Sequence, residues 1–117
     1  MDFQSEVRKK SRVAVNLLAG VEGEHNIDFA HRTKIKNMNM AGMSVETSML
    51  FKIGEKRNFR FFINNGESVS LLCRVIWSKS ENKVNAYGLL YTDLDMWKKI
   101  KLQRFLIKRR FQNAALA

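Results

Sequence analysis

Phe59-Arg60-Phe61-Phe62-Ile63, then Asn64-Asn65-Gly66-Glu67, then Val69 through Trp77, reads as strand, turn, strand. Aromatic and β-branched residues fill the runs, and Asn-Gly is the signal of a chain folding back on itself. The same pattern extends both ways. Toward the C-terminus, Glu81-Asn82-Lys83 separates Val69–Trp77 from a further β-prone run, Val84–Tyr91. Toward the N-terminus, Met43, Val45 and Thr47 alternate with Ser44 and Glu46, as a half-buried strand should. Ile27 to Lys36 alternates more loosely, and Asn37 to Gly42 interrupts it with small polar residues. Val13 to Leu18 is a short run ended by the turn-like cluster Gly20-Val21-Glu22-Gly23-Glu24. Six short strands at near-regular spacing predict a mainly all-β fold, a six-stranded antiparallel β-barrel.

After Thr92-Asp93 the period changes to that of a helix, from about Leu94 to Phe111, with Asp93 or Asp95 as cap. Acid at its start and base toward its end suit the helix dipole. Its apolar residues fall on two lines, Met96, Ile100, Ile107 and Phe111 on one, Leu94, Leu102, Phe105 and Leu106 on the other. One line should pack on the barrel; the other is a wider core contact or a surface for a partner. The chain therefore divides into a flexible arm (1–12), a barrel (13–92), a C-terminal helix (93–112) and a tail (113–117), one domain in all.

With 117 residues, 45% of them hydrophobic, the chain can bury one real core. No apolar run reaches the length of a membrane span, and the first residues lack the core of a signal peptide. Cys73 is the single cysteine, so no disulfide forms within the chain, and a reducing, cytoplasmic setting is expected. The net charge of +10 favours anionic partners. Roughly half of the 21 basic residues lie in two end clusters, Arg8–Arg12 and Lys98–Arg110. His25 and His31 have no Cys or acidic partners at metal spacing, so no metal is expected. No nucleophile, base and orienting acid can be assembled, which argues against an enzyme, and nothing calls for a cofactor.

Arg8 and Arg12 stand four apart in the first cluster. A guanidinium can pair with the O6 and N7 edge of guanine, grip a phosphate or stack on a base. About 25 residues on, Asn37-Met38-Asn39-Met40-Ala41-Gly42 offers amide groups that can accept from guanine N–H and a glycine that lets the backbone approach a ligand. Alone, that segment is an ordinary polar turn between strands. Lys9 and Trp77 are possible secondary contacts, though a tryptophan ending a strand more commonly packs in the core.

Arg8-xxx-Arg12 followed by Asn37-x-Asn39-x-x-Gly42 resembles the two-part signature of PilZ domains, an RxxxR segment and a D/N-x-S-x-x-G turn. Arg74-Val75-Ile76-Trp77 and Tyr87-Gly88-Leu89-Leu90-Tyr91 resemble later strands of that family, and the likeness covers about residues 7–110. The resemblance implies a barrel with a C-terminal helix that binds the bacterial second messenger cyclic di-GMP. Arg8 and Arg12 would be the clasp, and Asn37, Asn39 and Gly42 the turn that meets a guanine. Asn39 departs from the family's serine, and the apolar Val7 before the clasp implies one ligand per site. The resemblance further implies a cytoplasmic receptor that relays the signal to an unidentified downstream protein, with motility or biofilm control as the family's usual field. The alternative is a degenerate PilZ adaptor that binds protein without nucleotide, using whichever of the helix's two apolar lines does not pack on the barrel. A basic barrel that binds nucleic acid is disfavoured, because most aromatics fall at core positions.

Overall fold

The computed structural model describes residues 12–22, 27–63 and 66–116. Arg8, Lys9 and Val7, like the Asn64-Asn65 turn, lie outside the described residues. Six strands, β1 (Val13–Glu22), β2 (Ile27–Met38), β3 (Gly42–Thr47), β4 (Lys56–Phe62), β5 (Ser68–Glu81) and β6 (Val84–Tyr91), precede one helix, α1 (Met96–Leu116). All neighbours pair antiparallel in the order β1-β2-β3-β6-β5-β4, and β4 returns to β1 to close a barrel. The expected six-stranded antiparallel barrel with a C-terminal helix is the fold.

Alternation decides which side chains enter it. Val13, Met38, Met43, Leu89 and Val75 face one another across five strands and are all buried. Phe59, Phe61, Leu71 and Cys73 line the β4–β5 side. Phe51, from the loop after β3, plugs the far end with its ring edge on Phe59 and its face tilted against Tyr87. The Tyr87 hydroxyl, buried there, accepts from Phe51 N and donates to the Met49 carbonyl.

Three strands outrun their expected ends. Gly20, Val21 and Glu22 form no turn; they continue β1 and are the residues that pair with β4. The Glu22 carboxylate, accepting from Ser70 Oγ and paired with Arg60 at 2.9 Å, fastens that seam. β2 runs on through Asn37 to Met38, and β5 runs to Glu81. A closing ladder rewards every residue that can extend it, whatever its local turn propensity.

Near the start of β1, where β4 is no longer its partner, α1 takes over. Asn16 sits at φ 50° within a register shift between Ala14 and Leu17. The carbonyls beside this bulge accept from the helix: Val15 O from Arg109 Nη1 at 3.1 Å and Ala14 O from Asn113 Nδ2 at 3.0 Å. Arg109 also lies over the Phe105 ring.

Asp95 is the helix cap, its Oδ1 accepting from Lys98 N at 2.9 Å; Asp93 instead takes a left-handed φ of 60° that swings the chain onto the barrel end. The helix continues past Phe111 to Leu116, so its basic residues end more than a turn before its C-terminus and no base lies in the last turn. Leu102, Phe105 and Leu106 are the face that packs, with Phe105 against Phe61. Of the helix's two apolar lines, this is the one that joins the core. Met96, Ile107 and Phe111, the other line, point to solvent.

Candidate ligand-binding face

Antiparallel order brings the start of β1, the β2–β3 turn, the end of β6 and α1 to one end of the barrel. Arg12, exposed, stands one residue before Val13, whose ladder partner is Met38. The described half of the arginine pair therefore begins beside the Asn37–Gly42 segment.

Within that segment the two asparagines face opposite ways. Asn37 is a strand residue, half-buried, on the outer face. Asn39 is 3% exposed, and its Oδ1 accepts from Ala41 N at 2.8 Å and from Gly42 N at 2.9 Å. Its own N donates to the Gly42 carbonyl, so one residue holds both sides of the turn. An oxygen that short-circuits two backbone N–H groups is what a serine hydroxyl could also supply at a turn. Asn39 thus does turn work here. Gly42 is required by close approach: a Cβ on it would overlap the Leu89 carbonyl oxygen of β6.

Register then assembles a row across the outer surface. Ala14 pairs with Asn37, Asn37 with Ser44, Ser44 with Gly88, and Gly88 with Trp77. At Gly88 the indole of Trp77 occupies the space where any Cβ would project. Trp77 is accordingly neither a core residue nor a free platform; it lies half-buried across β6, one strand beyond Ser44. Its Nε1 makes no hydrogen bond among the described residues. The result is an outer row with an amide, a hydroxyl and an indole in line and Arg12 at its edge. Ser44 and Gly88 were not singled out from sequence, although their outward positions follow from the alternation of Met43/Val45 and Tyr87/Leu89.

Cys73 is inward and unreactive by environment: burial pushes its thiol well above the usual range. Among the described residues no group of three His, Cys, Asp or Glu side chains could hold a metal. No helix there is long and apolar enough to cross a membrane.

The described chain is thus a closed antiparallel barrel with a C-terminal helix packed against it. The PilZ domain model matches residues 6–108, and the chain belongs to that family. Its fold is similar to the inhibitor of motility MotI/DgrA of Bacillus subtilis (TM-score 0.69, 16% identity, 87% of this chain and 50% of that one). The present chain thus spans half the length of that protein. It is also similar to the PilZ domain of Escherichia coli YcgR with cyclic di-GMP (TM-score 0.70, 9% identity, 87% and 90% covered). A third likeness is to a Xanthomonas campestris protein described as a tetrameric PilZ domain self-assembled via a helical bundle (TM-score 0.74, 11% identity, 96% and 95% covered). At these identities the likeness is one of fold. No curated protein sequence matches the chain significantly.

Proposed function

We propose that the protein is a receptor for cyclic di-GMP, held between the arm that carries Arg8 and Arg12 and the outer row Asn37, Ser44, Gly88, Trp77. The observation that carries this reading is the row itself, which sets an amide and an indole on one face with exposed Arg12 at its rim. Family membership and the YcgR PilZ domain with its cyclic di-GMP support the choice of ligand. Asn39 supports it too: by capping the turn internally it leaves the outer face to Asn37, so the departure from serine need not obstruct a guanine.

In this mechanism the arginine forks take the guanine edge and the phosphates, Asn37 Oδ1 accepts from a guanine N–H, and the barrel wall excludes water from one side of the ligand. Binding orders the arm against the barrel, and a downstream protein reads the ordered state. No bond is made or broken, and no cofactor takes part.

Titration calorimetry with cyclic di-GMP tests the reading. The expected result is saturable binding, weakened roughly tenfold or more by Arg12→Ala, since one bidentate arginine contact is worth about 1–3 kcal/mol. Absence of heat and of binding at high micromolar ligand would overturn it.

A further inference from the structure

α1 has a second apolar face. Successive residues turn by about 100°, so Met96, Ile100, Ile107 and Phe111 fall within an arc of about 60°, roughly opposite Leu102, Phe105 and Leu106. The inner set is core. Of the outer set Ile100 is half-buried, while Met96 (70%), Ile107 and Phe111 (74%) are exposed, as is the adjoining Trp97 (74%). Surface helices ordinarily bury one stripe and show water a polar one, so a ridge of large apolar side chains along some four turns calls for an occupant.

Charge says which. Met96–Leu116 contains seven Lys and Arg residues and no Asp or Glu. Lys101, Arg104 and Lys108 edge the ridge on one side and Lys99 on the other, all exposed. Glu67 answers Lys101 at 3.0 Å. On the Arg104 side the ridge drops into a shallow groove of about 390 Å³, where Arg104 and Lys108 stand beside Ile63 and Phe105.

We infer that this face of α1 docks on an anionic lipid surface, the apolar ridge entering the headgroup layer and the flanking cations meeting lipid phosphates and carboxylates. A second copy would set two all-basic helices against each other. A protein partner would need a concave groove with acid on both rims, whereas a bilayer moulds itself to a convex ridge and supplies negative charge on both sides at once. Since the inner side of α1 is fixed to the barrel by Leu102, Phe105 and the Arg109 bond to Val15 O, the helix would lie flat with the barrel above it. The inference does not rest on nucleotide binding.

The test uses the full chain with phosphatidylcholine vesicles, neutral or containing about one-third phosphatidylserine. Trp97 serves as the reporter. Cosedimentation with the anionic vesicles and a blue shift absent from Trp97→Phe are expected, with little binding to neutral ones. The triple variant Lys99→Gln, Arg104→Gln, Lys108→Gln should bind about a hundredfold more weakly, at about fivefold per cation. Ile107→Ser with Phe111→Ser should abolish the Trp97 shift while leaving thermal unfolding unchanged, because both side chains are exposed. Three results would overturn the inference: equal binding to neutral and anionic vesicles; a Trp97 shift that follows protein concentration without lipid, which means a second copy covers the ridge; or capture by a soluble acidic polymer as strong as by vesicles, with Trp97 unmoved.

Discussion

Trp77 rests its indole on the bare backbone of Gly88, the residue opposite it in the β5–β6 ladder. This contact joins the tryptophan to the same outer row as Asn37. It also makes a glycine in the middle of a strand, ordinarily a weak point, a requirement of the face.

Gly88→Ala is expected to push the indole off β6 and to destabilise the barrel by roughly 1–3 kcal/mol, because a side chain can swing away from the added methyl. Gly42→Ala should cost about 3 kcal/mol or more, since its methyl meets the Leu89 carbonyl and only movement of the β3–β6 ladder relieves it. Urea unfolding of the two variants checks the order; equal effects would mean that the Leu89 carbonyl yields easily.

Asn39 and Asn37 should separate stability from binding. Asn39→Ala leaves Ala41 N and Gly42 N without their acceptor and is expected to lower stability by about 1–3 kcal/mol. Asn39→Ser should restore much of that. Asn37→Ala should leave the melting temperature nearly unchanged while weakening cyclic di-GMP, as should Arg12→Ala. Paired thermal melts and calorimetry decide; a binding loss confined to Asn39 variants would move the site from the outer row to the turn.

Alkaline pH should destabilise the fold through Cys73 and Tyr91. Burial raises the Cys73 thiol; burial first, then the nearby Cys73 charge, raise the Tyr91 phenol. Both are neutral folded and unfolded at low pH, so stability is whole there. Above about pH 8.5 the unfolded thiol loses its proton while the folded one keeps it, and stability falls by about 1.4 kcal/mol per pH unit for the group. Cys73→Ala should remove the slope that begins there and leave the tyrosine's, which begins near pH 10. Urea midpoints across that range give the two slopes. Native Cys73 should also resist thiol reagents until the barrel opens.

Asp95→Ala tests the helix start. Loss of the cap to Lys98 N should cost about 1 kcal/mol, whereas Asp93→Gly should be neutral or mildly stabilising, because Asp93 already holds a left-handed φ. Reversed effects would assign the cap to Asp93.

The strands were legible because alternation is local: Met43, Val45 and Thr47 announce their own inner face. What was not legible depended on register. The bulges at Asn16, between Ile35 and Asn37, and between Val75 and Trp77 shift partners by one residue, and only after those shifts do Asn37, Ser44, Gly88 and Trp77 share a row. The helix was visible in its 3.6-residue period, but both its lines were apolar. Which one packs is settled by Phe61 and by the bulge carbonyls that receive Arg109 and Asn113, contacts made across long stretches of chain. Nor does a motif position say which way its side chain points: Asn39 turns its Oδ1 inward onto Ala41 N and Gly42 N, a geometry that only the folded turn defines.

Return of β4 to β1 has a further consequence. A sheet that closes on itself leaves little main-chain edge open among the described residues: β4 covers β1 from Gly20 to Glu22, and side chains of α1 take the Ala14 and Val15 carbonyls, which disfavours recruitment of another polypeptide by strand addition, the mode of recognition least dependent on sequence. Visitors meet side chains instead. Substitutions at outward positions can then rewrite what the molecule recognises while the hydrogen-bonded cylinder beneath stays as it is, and the same closure guards the chain against edge-to-edge aggregation.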